Sequence, residues 1–165
     1  MAQKKEVYKE KLKQTGHWKY TDVYNLAFSD LKDAGYKIKE DLYNEKLSSN
    51  GKEIIIKWEA NKKVTDYFKF QIEMNWHILG MKDAEVEIDG KKVNTNKGEV
   101  EIEFKANIIK DYEKRWEDKP FWKFLRGVYE RYIIRETVDE YEGDLEDDLK
   151  DIIKDIKAFL RIPAK

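Results

Sequence analysis

The sequence predicts an α+β domain: an antiparallel β-meander of five or six strands, with one helix before the sheet and two helices, the second one long, after it. The first observation is the strict alternation of apolar and polar residues from Phe68 to Ile78, which is typical of a strand with one buried and one solvated face. The second is that three more segments repeat it: 54–60, 84–88 and 100–108. The third is helical spacing of apolar residues from Pro120 onward. We therefore expect helices to cover the apolar sheet face.

The residues that precede the other predicted strands have the pattern of one helix. The sequence leaves open whether a strand comes before that helix. Residues 6–20 do not alternate cleanly, and residues 1–13 could equally be a flexible basic tail. Thr21 or Asp22 is a suitable N-cap. Gly35 stands where a glycine commonly ends a helix. The apolar face of this predicted helix consists of Val23, Leu26, Ala27, Leu31 and Ala34.

Short turns separate the predicted strands, which indicates a meander. Asn50-Gly51 favours a tight hairpin, and Asp89-Gly90 is a second hairpin or bulge signal. Gly80 and residues 94–98 are interpreted as further breaks. The strand segments are 36–47, 52–60, 65–79, 84–93 and 99–110. The acidic residues expected on the solvated face, beside lysines, are Glu73, Glu85, Glu87, Glu101 and Glu103.

Two helices are predicted after the sheet. Pro120 suits the first turn of a helix whose apolar residues include Phe121 and Phe124. Thr137 begins a capping box that precedes one long helix, Val138–Arg161. Apolar residues step along this helix by three or four positions, as expected for packing on a sheet.

Composition favours one folded domain over residues 1–165. Aromatic residues make up 13% of the chain, which argues against disorder although 41% is charged. A net charge of −1 gives no global field that attracts nucleic acid or membrane. The absence of cysteine excludes disulfides, thiolate metal sites and cysteine nucleophiles. No segment approaches the ~18 consecutive apolar residues of a membrane span, and we expect a cytoplasmic protein.

Lysine strongly outnumbers arginine, 28 to 5. Enrichment in Lys and Glu is reported for hyperthermophiles, but an AT-rich genome produces the same lysine bias. The sequence does not choose between these two origins.

No catalytic constellation is visible, and we predict a protein that is not an enzyme and that has no cofactor and no metal. Ser48 and Ser49 lie in a turn, while His17 and His77 have no partner motif from which a triad could be built. Phosphate-loop and dinucleotide fingerprints are absent. The acidic run 142–148 offers oxygen ligands, but its helical phase spreads them around the axis, so we expect a solvated acidic face.

The aromatic residues on the apolar sheet face have two interpretations. They either form a solid core or line a cavity for an apolar small molecule. A curved antiparallel sheet that grips a long C-terminal helix is the helix-grip architecture of small hydrophobic-ligand carriers. The element order here is similar to that plan, with fewer strands. The candidate cavity residues are Trp58, Phe68, Phe70, Trp76 and Phe104.

The region after the sheet is divided by charge. Residues 114–135 carry seven basic and three acidic side chains, whereas 136–151 carry nine acidic and one basic. The basic segment could pair with the acidic one, dock a protein partner or a second copy, stack on nucleic acid, or lie on a lipid surface. The candidate interaction residues are Trp122, Lys123, Arg126, Tyr129, Arg131 and Arg135.

Three functional hypotheses follow. The first is a non-catalytic protein-interaction or structural domain, whose unknown partner is another protein or a second copy of the chain. The second is a carrier of an apolar small molecule between the sheet and the long helix. The third and weakest is nucleic-acid binding through residues 114–135.

Overall fold

The computed structural model describes residues 3–110, 124, 127–128 and 135–161, with side chains from residue 137 onward in the last helix. The elements are β1 (Gln3–Trp18), α1 (Tyr20–Asp33), β2 (Lys37–Ser48), β3 (Gly51–Lys63), β4 (Phe68–Ile88), β5 (Lys91–Lys110) and α2 (Arg135–Leu160). All neighbouring strands are antiparallel, in the order β1-β5-β4-β3-β2. The α+β class with an antiparallel sheet is confirmed, and the sheet formed by the described residues has five strands.

The first strand departs from a simple meander, because β1 pairs with the last strand, from Gln3 opposite Lys110 to Trp18 opposite Asn96. The sequence left open whether residues 1–13 form a flexible tail. Residues 3–13 lie in this strand. The irregular alternation here has a physical cause: the register shifts after Glu6, so that one extra residue bulges from the strand.

The start of α1 is capped from another strand, which local sequence could not indicate. The N-cap position is Lys19 rather than Thr21 or Asp22, and its side chain makes no capping hydrogen bond. Instead, the Tyr20 N–H donates to Asn96 Oδ1 at 2.9 Å. A side chain on β5 thus satisfies one of the free N–H groups that every helix start leaves.

The ends of the helices lie close to the predicted ones. Gly35 has φ +96°, and the N–H groups of Gly35 and Tyr36 donate to the carbonyls of Lys32 and Leu31. This is the left-handed glycine termination that the sequence predicted. The long helix is Arg135–Leu160, against a prediction of Val138–Arg161.

The predicted helix that starts at Pro120 lies outside the described residues, apart from Phe124, Gly127 and Val128, which have helical backbone. Within the described ranges, one helix lies between β1 and β2 and one follows the sheet, where the sequence predicted one helix before the sheet and two after it.

The core is one apolar layer between the inner face of the sheet and the two helices. Helix α2 packs on β1, β5 and α1, whereas α1 packs toward β2. Each large apolar side chain buried in this layer stabilises the fold by about 1.5–3 kcal/mol. The buried helix residues are Val23, Ala27 and Leu31 from α1 and Leu145, Leu149, Ile152, Ile153, Ile156 and Leu160 from α2.

The outer sheet face is solvated and carries a ladder of ion pairs between β1 and β5. Lys11 and Glu101 are 2.6 Å apart, and Lys13 and Glu99 are 2.7 Å apart. Lys9 and Glu103 add a longer pair at 3.7 Å. Each pair is diagonal in the register, which confirms the outward prediction for Glu101 and Glu103.

A β-bulge at Gly80–Met81 interrupts the sheet, and the prediction that Gly80 ends a strand is wrong. Leu79 pairs with Glu99, but the next pair joins Lys82 to Lys97, so two residues of β4 oppose one of β5. The strand then continues to Ile88.

The prediction of a turn at residues 94–98 is also wrong, because Asn94, Thr95 and Asn96 pair with β4. The hairpin turn is at Asp89-Gly90, as that dipeptide indicated, with φ +52° and +77°.

Three backbones come close together at the bulge. A Cβ on Gly51 would lie 2.7 Å from the carbonyl carbon of Gly80, and a Cβ on Gly98 would lie 2.9 Å from the Cα of Met81. Gly80 itself has φ +61°, in the left-handed region that favours glycine. The bulge therefore requires glycine on all three strands.

Gly98→Ala is expected to destabilise the fold by about 1–3 kcal/mol, because the added methyl group overlaps strand backbone rather than a movable side chain. Gly143→Ala is the matched control. Gly143 lies within α2, and a Cβ added there would meet nothing within 4 Å. The same methyl group at that position should stabilise by about 0.5–1 kcal/mol through helix propensity. Urea unfolding of both variants gives the comparison, and equal effects would contradict the close approach.

The contact between α1 and α2 includes an acidic pair. Burial is the largest cause that raises the pKa of Asp30 to about 6, followed by a hydrogen bond with Asp155 and repulsion from Asp155 and Asp33. Because the folded state holds this proton more tightly than the unfolded state, stability should fall as the pH rises from about 3.8 to about 6.

Asp30→Asn is expected to raise the melting temperature at neutral pH, since the amide resembles the protonated acid and removes the repulsion. The difference from wild type should shrink in mild acid, where Asp30 binds its proton. Thermal unfolding followed by circular dichroism across this range measures it. Asp89→Asn, at a turn position with φ +52° that asparagine tolerates, is the control. A pH-independent gain in Asp30→Asn would contradict the assignment.

Candidate interaction surface

The structure brings together the five residues of the predicted apolar cavity. None of Trp58, Phe68, Phe70, Trp76 and Phe104 is more than 3% exposed, and all belong to one core cluster with the helix residues. The Trp58 and Trp76 rings are 5.3 Å apart. The Phe68 ring lies 5.2 Å from that of Tyr141 on α2. These aromatic side chains thus lie in the layer that the two helices cover.

A carboxylate that the sequence did not indicate joins this aromatic cluster to the edge of the sheet. Glu40 Oε1 accepts hydrogen bonds from the Tyr24 hydroxyl at 2.9 Å and from Trp58 Nε1 at 3.1 Å. Burial, and then the hydrogen bond to Glu40, raise the pKa of Tyr24 to about 12. By contrast, Trp76 Nε1 is buried with no hydrogen-bond partner in the described part of the chain.

The predicted basic surface falls almost entirely outside the described residues. This applies to Trp122, Lys123, Arg126, Tyr129 and Arg131, whereas Arg135 begins α2 with an undescribed side chain. In the same region, Phe124 is 67% exposed.

Acidic residues of α2 find partners on strands. Lys5 Nζ lies 2.7 Å from Glu142 Oε1, so β1 supplies a cation to the acidic helix. In a second pair the helix supplies the cation: Lys157 Nζ of α2 lies 2.8 Å from Glu10 Oε2, on the inner side of β1. These pairs fix α2 along β1.

A cleft of about 420 Å³ opens where α2 meets the β3–β4 turn. On its wall, Asp148 accepts a hydrogen bond from the Tyr36 hydroxyl at 3.0 Å and lies 3.9 Å from Lys62. Burial raises the pKa of Asp148 above its usual range, against the opposing effects of that hydrogen bond and of Lys62. The lining residues are Lys62, Lys63, Val64, Phe70, Tyr141, Asp144, Asp147 and Asp148. Their charges are mixed, and Asp148 already has partners.

The bulge reverses the faces of β4. Because side chains alternate along a strand, one extra residue moves every later side chain to the opposite face. Before the bulge, even-numbered residues such as Ile78 point to the core; after it, Ala84, Val86 and Ile88 share the outer face with Leu79. The outward prediction for Glu85 and Glu87 is therefore wrong in this register, since they lie on the inner-face side.

Beyond the bulge the hairpin continues as a two-stranded ribbon, called here the arm, residues 84–95. Its strands pair with each other from Ala84 opposite Thr95 to Ile88 opposite Lys91. The described pairing of β3 with β4 stops at Met81, and that of β1 with β5 stops at Asn96. Both edges of the arm are thus free of strand partners within the described chain.

The apolar residues on the outer side of the arm, Ala84, Val86, Ile88 and Val93, are called here the stripe, and Ala84 and Val86 are half-buried. Ile88 is 48% exposed and Val93 is 39% exposed. On the same face, the pair Lys82 and Lys97 lies between these residues and Leu79, which is 37% exposed. These apolar side chains are neighbours on a ribbon that has no flanking strand within the described chain.

The two arm strands carry opposite charge. The β4 strand holds Glu85 and Glu87, and the β5 strand holds Lys91 and Lys92. Glu87 is directly opposite Lys92 in the register. One free edge is therefore acidic and the other basic.

The inner side of the arm base borders a cleft of about 500 Å³ next to the start of α1. Asn96 organises it: the side chain accepts from the Tyr20 N–H and donates to Asp83 Oδ1 at 3.1 Å. The lining is Lys19, Thr21, Asp83, Ala84, Glu85, Asn94, Thr95 and Asn96. This polar cleft joins the arm to α1.

A buried polar network that the sequence pattern did not predict crosses the other end of the outer face. Gln71 and Asn107 are opposite each other and only 5% and 1% exposed. Asn107 Nδ2 donates to Gln71 Oε1 at 3.2 Å, and Gln71 Nε2 donates to Glu59 Oε1 at 2.6 Å. Their burial is a tertiary property, because alternation alone assigns both to the solvated side.

Within the described ranges, no group of three or more His, Asp or Glu side chains could hold a metal ion. Among the same residues, neither helix is long and apolar enough to cross a membrane.

Comparison with known proteins finds no matching family, no matching curated protein and no matching solved structure.

Proposed function

We propose that this chain is a non-catalytic protein-interaction domain and that the arm is its docking surface. The observation that supports this most directly is the apolar stripe that the bulge places on the outer side of the arm. An isolated two-stranded ribbon is at best marginally stable in water. A partner that covers the stripe would remove apolar area from water and would order the ribbon at the same time.

The free edges of the arm add a second route for contact. A strand edge offers a row of unpaired N–H and C=O groups, and an extended segment of a partner can pair with it. Main-chain hydrogen bonds then supply affinity, and side chains on the stripe supply selectivity. The arm offers both on the same residues.

The edge strand β2 also carries exposed apolar side chains, but it is a weaker candidate for the docking surface. Leu47 on β2 is 81% exposed and Tyr43 is 44% exposed. However, the β2 register shifts between Glu40 and Leu42, and a bulge on an edge strand is a common protection against pairing. For this reason we place the docking surface on the arm.

The double variant Ile88→Lys/Val93→Lys is expected to lose the protein partner, because two charges then replace the centre of the stripe. Affinity capture from cells of the organism of origin, quantified against wild type, measures the loss. Leu47→Lys is the matched control, since it places the same charge on an exposed apolar position at the end of β2. Hydrogen exchange of the captured complex should show slowed amides at 84–88 and 91–95. A partner retained equally by all three proteins would contradict the proposal.

A second candidate function, a carrier of an apolar small molecule, is supported by the strand order. The first strand lies beside the last, one helix precedes the meander, and a long final helix covers the inner face. This arrangement is similar to the helix-grip plan of hydrophobic-ligand carriers, which is an analogy of fold alone. The buried Trp76 Nε1 without a described partner adds a donor that an apolar ligand with one acceptor could use.

For a carrier, native mass spectrometry of the purified protein should show the chain mass plus a few hundred daltons, as an order of magnitude for a pocket-sized ligand. Trp76→Phe keeps a ring but removes the N–H, so the bound fraction should decrease. A bare chain mass for wild type under mild conditions would exclude a co-purified ligand and the carrier hypothesis with it.

A further inference from the structure

A row of basic side chains crosses three strands at the base of the arm, on the same outer face as the stripe. Lys97 of β5 is opposite Lys82 of β4 on one side and opposite His17 of β1 on the other. All three side chains are exposed, and together they are called here the basic row. Two lysines directly opposite each other are unfavourable in a sheet, so the base of the arm carries a repulsion.

No ion pair among the described residues includes Lys82 or Lys97. The adjoining row on the sheet holds one acid, Glu99, and that carboxylate already lies 2.7 Å from Lys13. The two glutamates of the arm lie on its inner side. The basic row therefore differs from the ladder between β1 and β5, in which each lysine has a glutamate partner.

The basic row and the stripe form one continuous surface along the arm. On β4, Lys82 is two residues before Ala84 and six before Ile88, which corresponds to about 7–20 Å of extended strand. At the far end Lys91 is opposite Ile88, where the turn also supplies an acid, Asp89. The uncompensated positive charge is thus at the base, and a helix of about four turns spans the whole surface.

Resting on the proposed function, we infer that the partner contributes an amphipathic protein segment, with apolar side chains over the stripe and carboxylates on the basic row. Carboxylates at this position pair with both lysines and offset the repulsion that the free chain carries. His17 adds a ring N–H that can donate to a carboxylate. The charge also sets the direction of the segment, because its acidic end lies toward the sheet.

An anionic lipid surface offers the same charge next to an apolar layer, but it fits the outer face less well. That face also carries Glu101 and Glu103, beyond the basic row. A flat lipid surface on the row would bring these carboxylates against anionic headgroups, whereas a narrow segment that lies along the arm avoids them. The observations therefore favour a protein segment.

The test selects binders for the full chain, in low salt, from a library of random peptides of about 16 residues, long enough for four helical turns. Wild type should enrich peptides that join an apolar stretch to Asp and Glu residues at one end. Lys82→Glu/Lys97→Glu should bind these peptides about tenfold more weakly and should enrich Lys- and Arg-containing peptides instead. This variant keeps two like charges opposite each other, so the repulsion at the base of the arm matches that of wild type.

The single variant Lys82→Glu separates docking from a role in the fold. A glutamate opposite Lys97 replaces repulsion by attraction, so the melting temperature should rise while binding of the selected peptides decreases. If stability and binding decrease together, Lys82 acts in the fold and the inference is wrong.

The remaining outcomes distinguish the two proposals. Apolar peptides that wild type and Lys82→Glu/Lys97→Glu bind equally, but that Ile88→Lys/Val93→Lys does not bind, would overturn the acidic segment and leave the arm as the docking surface. Vesicles of phosphatidylserine and phosphatidylcholine that bind wild type but not Lys82→Glu/Lys97→Glu would overturn it in favour of a lipid surface. Equal peptide binding by all three proteins, or no enrichment on wild type, would overturn both proposals together.

Discussion

The structure depends on one close approach of three backbones, at Gly51, Gly80 and Gly98. A side chain on Gly51 or Gly98 would overlap main-chain atoms, which cannot move aside without breaking strand pairing. At Gly98, two residues of β4 lie opposite one residue of β5. Beyond this bulge β4 continues past the sheet, and its side chains alternate in the opposite phase, so that each lies on the other face. This single extra residue determines where the core ends and which side of the arm is apolar. It turns positions that would otherwise continue the core pattern into a surface that faces water.

The two helices cover different parts of the inner face of the sheet. Helix α1 is tied to β2 and β3 through Glu40, which accepts from Tyr24 and Trp58. Helix α2 lies along β1 and β5, with ion pairs near both ends at Glu142 and Lys157. Apolar burial supplies most of the stabilisation and the ion pairs fix position, because a pair with an exposed lysine, such as Lys5–Glu142, typically contributes only about 0–1 kcal/mol. The fold thus combines a non-specific force with specific contacts that set the placement of each helix.

Much of the candidate site follows from geometry rather than from residue types. The aromatic inner face and the basic segment 114–135 are unusual in composition, and for that reason they were the sites that the sequence predicted. The arm carries no such signal, since Ala84, Val86 and Ile88 alternate like any strand with an apolar side toward the core. A glycine isolated within an alternating pattern is a known sign of a bulge, and Gly80 carried that signal. The prediction that the strand ends at Gly80 therefore missed the reversal of the two faces of β4 beyond it.

The sequence by itself determined the fold class, the alternating strands, the Asp89-Gly90 turn, the glycine end of α1 and the long final helix, because each depends on neighbours within a few residues. Only the tertiary structure decided the position of β1 beside β5, the cap that Asn96 gives to α1, and the burial of Gln71 and Asn107. It also decided that the apolar side of the arm faces outward. These features depend on residues distant in sequence that meet across strands, and no local pattern carries that information.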